Sequence, residues 1–394
     1  MLVPVLAALA LAVTPEPAGD PWPMHTIDNT SEGADGVRLA DFDGDGLPDI
    51  ATGWEEGGVV RIYRNPGPER VREPWPMVEI AQVRSPEDAV FADLDGDGAL
   101  DVISCSEGEE RQIWIHWAPS DPELYMDPSA WTTEALPAAA GMTQWMYCLP
   151  MQVDGQRGID LVAGSKNFDA VIGWFESPEN PRDLAAWRWH PMRQAGWVMS
   201  LIAHDVDGDG HMDVAYTDRK QNLRSAGWLR NPGPDDPEAL RRPWDDHTFG
   251  GRESEVMFLN HGAFSPAGPT EWVCANRGRG LLRFTPGESP DTWIQEEIPM
   301  PLNTGTGKAV AIGDLNGDRR PDIAVTCEAA ENRHGVFWLE QSDDGWIPRA
   351  ISGLTGTKYD LVVLYDLDGD GDLDVLTCEE NENLGVIWYE NPLK

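Results

Sequence analysis

The residues of this chain that could do chemistry come in blocks. Asp366-Leu-Asp-Gly-Asp-Gly-Asp-Leu-Asp374 has the spacing D-x-D-G-D-G-x-x-D, which recurs at Asp41–Asp49, Asp93–Asp101, Asp205–Asp213 and, altered, at Asp314–Asp322. Carboxylates packed this densely repel one another unless a cation sits among them. Glycines at the fourth and sixth places let the chain curl, so that alternate side chains point at one centre. A hard cation with six to eight oxygen ligands, such as calcium, suits that cage.

An EF-hand loop would need a glutamate at the twelfth place and a helix on each side. The twelfth places here are Thr52, Ser104, Tyr216, Val325 and Thr377, and strand-like sequence flanks every block. The blocks therefore read as nine-residue calcium loops in β-hairpins. Side chains one, three, five and nine are expected to coordinate, with the carbonyl at seven. Such a ligand set leaves little room for an open coordination position, so the expected role is structural. Ion binding then adds to folding free energy.

The chain around the blocks is acidic. Its 394 residues carry 29 Lys+Arg against 68 Asp+Glu, a formal net charge of −39. That balance argues against nucleic acid and anionic membrane as partners. Leu2–Val13 is an apolar run about as long as a secretory h-region and too short to span a bilayer, and it all but covers residues 1–12. They are expected to be a signal peptide cleaved after Ala12, followed by a linker over 13–21 and one domain over 22–394. Secretion, to the periplasm or the cell-envelope exterior, also suits calcium-filled loops. The five cysteines, Cys105, Cys148, Cys274, Cys327 and Cys378, are odd in number and read as small buried hydrophobes.

The blocks must be positioned by a repeat. Aligned starts fall at Asp41, Asp93, Gln152, Asp205, Ala263, Asp314 and Asp366, a period near fifty residues. A short apolar strand precedes each block, as in Ala89–Ala92, and another follows it, as in Asp101–Ser104. A third strand alternates around an aromatic, as in Ile113-Trp-Ile115. A fourth opens on Trp22, Trp75, Trp131, Trp187, Trp244, Trp293 or Trp346. Four short strands per unit, separated by turn residues, describe propeller blades. The expected fold is all-β, a seven-bladed propeller. Its last blade lacks a fourth strand and the chain start has one to spare, so the N-terminal segment is expected to close the ring, which removes an exposed edge. Most tryptophans then fill the wedges between blades.

These repeats resemble the FG-GAP/VCBS repeats of integrin-α-type propellers over essentially the whole mature chain. The resemblance carries the family's calcium ligands onto Asp41, Asp43, Asp45 and Asp49 in blade one, and Asp93, Asp95, Asp97 and Asp101 in blade two. Blade four supplies Asp205, Asp207, Asp209 and Asp213, and blade seven Asp366, Asp368, Asp370 and Asp374. Blade six offers Asp314, Asn316, Asp318 and Asp322, with Arg319 in place of the second glycine, and should bind less tightly. Blade three, with Gln152 and Gln156, is expected to hold no ion, and blade five has no site. About four to five structural calcium ions follow from this resemblance.

The resemblance also implies where a ligand would sit. In such propellers the calcium loops occupy one face. The 4–1 and 2–3 loops surround the mouth of the central channel on the other. The sixth residue before each block should line that mouth: Asp35, Glu87, Met146, Met199, Met257, Lys308 and Asp360. Trp145, Tyr147, Trp197 and Phe258 lie near it in sequence. The expected function is a secreted, calcium-stabilised module, expected to be monomeric, that binds a glycan or an extracellular protein through this face. The alternative is a carbohydrate lyase or dehydratase, by similarity to propeller enzymes of those classes. In that case Lys308, Lys358, Arg219 and His334 would neutralise the enolate and Tyr359 would transfer the proton. Glu87, paired with Asp360, is the candidate for carboxylate chemistry.

Overall fold

The structure is a computed structural model that describes residues 14–265, 267–278 and 280–394. The expected leader, residues 1–12, lies outside them. The described chain forms seven four-stranded antiparallel sheets arranged in a ring. Its one α-helix is a single turn, Pro237–Leu240.

Blade one shows the unit. Its strands are Ala34–Ala40, Asp49–Trp54, Val59–Tyr63 and Met77–Gln82, from the channel outward. Every residue of the second strand is buried, and the same holds in blades two, three, four, five and seven. That strand is covered on both faces by neighbouring blades, so its sequence is a continuous apolar run rather than an alternation. Outer strands face water and read as polar; Trp293–Pro299 has four consecutive exposed residues.

The tryptophans occupy the wedges. Trp54, Trp117, Trp145, Trp174, Trp187, Trp228, Trp272 and Trp388 are among the largest fully buried side chains. Those opening the outer strands also meet a backbone acceptor just upstream. The indole of Trp75 donates to the Val71 carbonyl at 3.0 Å, that of Trp131 to Tyr125 at 2.9 Å and that of Trp187 to Pro181 at 2.9 Å. In these three the buried indole N–H finds its partner locally, whereas those of Trp228 and Trp388 have none among the described residues.

Met24–Asp28 pairs antiparallel with Gly385–Tyr389 and supplies the fourth strand of blade seven. The residues before it lie along blade six. The Ala18 amide donates to the Pro348 carbonyl at 3.2 Å, the Ala350 amide to Ala18 at 2.9 Å and the Trp22 amide to Ile351 at 2.9 Å. The start of the described chain therefore crosses two blades, and both seams are paired.

In all seven blades the pairing of the first and second strands slips by one residue close to the channel mouth. In blades two, three and four the extra residue is Glu87, Met146 and Met199. In blades five, six and seven the slip spans Met257, Lys308 and Asp360. In blade one it follows Asp35 directly. Such bulges bend a strand and re-aim a side chain. Here they sit at the positions expected to line the mouth.

Candidate functional site

The two ends of the innermost strands carry different chemistry. At one end lie the acidic loops. The aspartate at place nine is buried and each of its oxygens accepts a backbone N–H. Asp49 takes Phe42 N at 3.0 Å and Asn65 N at 2.7 Å; Asp374 takes Leu367 N at 2.8 Å and Asn391 N at 2.9 Å. Asn65 and Asn391 also donate from their side chains to Pro48 and Leu373 carbonyls, which fastens the third strand to the loop. This is what the Asn-Pro breakers after the third strand do.

Places one, three and five build a set of Asx turns. In blade two, Asp93 accepts from Gly96 and Gly98, Asp95 from Asp97, and Asp97 from Ala99. Gly96 and Gly98 have φ of +76° and +92°, which only glycine adopts without strain. One carboxylate oxygen from each of Asp93, Asp95 and Asp97 falls within 4.8 Å of the others. The same holds for Asp41, Asp43 and Asp45, and for Asp205, Asp207 and Asp213. All-oxygen donors that converge in this way fit a calcium ion. An arginine adjoins place three in four blades: Arg64 on Asp43 at 2.5 Å, Arg182 on Asp95 at 2.5 Å, Arg230 on Asp207 at 2.6 Å and Arg72 on Asp368 at 2.5 Å.

Blade three is built differently. Its Gln152 amide nitrogen donates to the carbonyls of Gln156 at 3.1 Å and Gly158 at 2.6 Å. Gly158 occupies place seven, so the side chain serves the carbonyl that a cation would otherwise meet. In blade five Glu271 stands at place nine and instead holds Arg283 at 2.7 Å and Thr285 at 2.7 Å.

At the other end of the strands is a cavity of about 260 Å³ at the channel mouth. Two tiers of side chains line it. The inner tier is the bulge set, with Asp35, Glu87, Met146, Met199, Lys308 and Asp360 on its wall. Met257 is fully buried, and Phe258 lines the cavity in its stead. The outer tier stands fourteen residues after each block start, where the second strand ends: Glu55, Glu107, Lys166, Arg219 and Glu328 on the cavity wall, with Arg277 and Glu380 at the equivalent positions of blades five and seven. All seven of these positions are charged. Carboxylates stand on blades one, two, six and seven, and cations on blades three, four and five.

Ion pairs knit the tiers together. Lys166 reaches Glu87 at 2.8 Å and also meets Glu107. Arg277 meets Glu328 at 2.5 Å, Lys308 pairs with Asp360 and Lys358 with Glu380. Burial, then the charges of Asp360 and Glu87, push the Asp35 carboxyl well above the usual carboxylate range. Burial, then Glu87 and Glu56, push Glu55 up to about 7, and burial, then Asp360, push Glu380 up to about 7. Lys308 is also buried, yet Asp360 outweighs that cost and holds it charged.

The basic side is organised around Trp197. Its backbone N–H donates to Asp218 at 2.8 Å, and Asp218 is fixed in turn by Arg193 at 2.9 Å. Three cations surround the indole, with Lys220 at 3.9 Å, Arg219 at 4.6 Å and Lys166 at 4.7 Å from its centroid. The indole N–H is buried without a hydrogen-bond partner among the described residues. Beyond it, Phe168 on the 2–3 loop of blade three is 92% exposed.

A scan against known families matches FG-GAP-like repeats over residues 41–104 and 314–377. The two matched spans lie within a ring of seven four-stranded blades. No curated protein matches the chain. Each matched span of the propeller begins at place one of an acidic loop and ends in the second strand of a blade.

The propeller brings Glu87, Arg219, Lys308 and Lys358 to the mouth. It does not bring His334 or Tyr359 there. Tyr359 is fully buried beside Asp360, its hydroxyl donating to the Thr355 carbonyl at 2.7 Å and lying 3.2 Å from that of Tyr389. Strand alternation turns it into the blade, where it has no position from which to move a ligand's proton. His334 is held by its ring nitrogen at 3.1 Å from the Ser352 carbonyl. The carboxylates Glu55, Glu107 and Glu328 were not singled out from sequence, although their constant offset from the blocks was there to read. Among the described residues no helix is long and apolar enough to cross a membrane.

Proposed function

We propose that this propeller is an exported binding module for a carbohydrate bearing carboxylate groups, held at the channel mouth, with its ring clamped by calcium in the acidic loops. The observation that carries the ligand reading is the split mouth. Lys166, Arg219 and Lys220 gather around Trp197 on one side. Carboxylates on the other side accept hydrogen bonds from hydroxyls. A uronate sugar satisfies both sides at once, its carboxylate on the cations and its ring hydroxyls on the acidic side. The strongly negative net charge disfavours anions at a distance, so the cationic side must act at contact range.

The calcium reading rests on the converging oxygens of blades one, two and four. Blades six and seven share the loop hydrogen bonds, as in Gly317 and Gly371 donating to Asp314 and Asp366. Export follows from it, because loops of this kind fill where calcium is abundant. No observation favours the lyase reading: Lys308 and Lys358 are each committed to a carboxylate, and Tyr359 points elsewhere.

The test is a glycan array together with calorimetry on uronate, sulfated and neutral oligosaccharides. Binding confined to uronate chains, without turnover, is expected. Binding of protein ligands alone, or new ultraviolet absorbance from an unsaturated product, would replace this reading.

A further inference from the structure

Most charges at the mouth have a partner of opposite sign within contact distance. Asp35 and Glu55 do not: among the described residues neither side chain makes an ion pair or a hydrogen bond. Asp35 is 9% exposed and lines the cavity. Asp360, 2% exposed, gives one oxygen to Lys308 and leaves Oδ2 buried and unpartnered. The cavity wall carries seven carboxylates against four cations. An excess of buried and half-buried negative charge of this kind is costly unless it is neutralised.

The geometry shows what would neutralise it. One oxygen from each of Asp35, Glu55 and Glu87 lies within 4.8 Å of the others. Two oxygens on opposite sides of a calcium ion, each bonded at about 2.4 Å, span about that distance. Glu87 has its other interaction, with Lys166, on Oε1 at 2.8 Å, so it can face both ways. The chain builds this convergence by two separate routes. Asp35 stands at the strand bulge of blade one and Glu87 within that of blade two, while Glu55 stands at the end of the second strand of blade one.

We propose that the mouth holds a divalent cation of its own, bound by Asp35, Glu55 and Glu87 with water completing its shell. The site is distinct from the acidic loops, which lie at the opposite ends of the strands, and it does not depend on the nature of the ligand. With three protein carboxylates on one side, the ion keeps open positions toward the cavity. A ligand carboxylate or hydroxyl pair can enter them. That gives the acidic half of the mouth a way to hold an anion, which it otherwise repels.

The experiment is diffraction from crystals of the whole protein soaked in manganese, with anomalous maps. It is paired with manganese titration of the wild type, Glu55→Gln and Asp35→Asn, followed by electron paramagnetic resonance. An anomalous peak among the three carboxylates, and one equivalent fewer in each variant, are expected. Peaks confined to the acidic loops, with full stoichiometry in both variants, would overturn the proposal. Glu55 is half-exposed and its variant should fold whatever the fate of Asp35→Asn. Removing one repelling carboxylate should also raise the melting temperature in chelator, and an unchanged or lower value in both variants would count against the site.

Discussion

The guanidinium of Arg61 donates to the carboxylate of Asp28 at 2.8 Å, and the two residues belong to different blades. Asp28 ends the strand that closes blade seven, and Arg61 lies in the third strand of blade one. The same Asp28 oxygen accepts the Tyr63 hydroxyl at 2.9 Å, while its other oxygen accepts the Thr30 amide at 3.0 Å. The seam where the ring begins and ends is thus bound by a buried ion pair, with side-chain exposures of 9% and 7%.

Breaking that pair from the Asp28 side leaves the buried Arg61 with only the longer contact to Glu79, at 3.3 Å, to balance its charge. Asp28→Ala should therefore cost about 3–5 kcal/mol of unfolding free energy, measured by urea denaturation. Arg61→Leu in the same background should restore part of the loss, because no buried cation remains and Glu79, its other partner, is open to water. A double variant as unstable as the single would show that the hydroxyl and amide contacts, not the ion pair, hold the seam.

Chelation should lower the melting temperature, since each ion that binds only the folded ring contributes about 2.7 kcal/mol at a hundredfold excess over its dissociation constant. Blade three supplies the internal control. Replacing Gln152 and Gln156 together by aspartate restores the full acidic pattern and removes the amide that now serves Gly158. The variant should bind one more calcium ion by equilibrium dialysis, and should melt lower than wild type in chelator. Equal stoichiometry would mean that the loop backbone, rather than its side chains, decides occupancy.

His116 gives a pH dependence whose sign can be worked out. It is fully buried between the Ser104 hydroxyl at 2.8 Å and the Thr133 hydroxyl at 2.9 Å, and burial pulls its pKa from 6.5 down to about 3. Between these values the unfolded chain binds a proton that the folded one refuses. Stability contributed by neutral His116 is complete above about pH 6.5 and falls by up to about 1.4 kcal/mol per pH unit below it. The stability of His116→Gln relative to wild type should therefore rise between pH 6 and pH 4. Parallel curves would show that the ring is protonated in place.

At the mouth, Trp197→Ala and Arg219→Gln should each weaken uronate binding about tenfold or more, equivalent to about 1.4 kcal/mol or above. Tyr359→Phe should leave affinity unchanged because the hydroxyl is turned into the blade. Calorimetry on the three variants decides it; loss of binding in Tyr359→Phe alone would move the site away from the cavity.

The architecture was readable because each of its determinants is local. Acidic blocks, an aromatic third strand and a tryptophan at the fourth recur in register, and the unmatched strand at Met24–Asp28 pointed to its place in blade seven. The mouth was readable only in part. A bulge shifts the side-chain alternation by one residue, and its position is not marked by residue type. That shift puts Asp360 on the cavity and its neighbour Tyr359 in the core, and puts Phe258 where Met257 was expected. The carboxylates of the outer tier are hidden in the sequence for a different reason. Glu55, Glu107 and Glu328 look like solvated turn charges until the ring brings the ends of seven second strands together.

The shared sheet of blade seven has a consequence for synthesis. Residues 24–28 leave the ribosome long before their hydrogen-bonding partners in Gly385–Tyr389. Six blades can stack as the chain emerges, but the lock at Asp28 and Arg61 cannot be fully set until the strand Gly385–Tyr389 has emerged to hold Met24–Asp28. A chain cut short between blade six and Gly385 would leave Met24–Asp28 without its partner and blade seven with a raw strand edge. Quality control in the cell could read that defect without any dedicated signal.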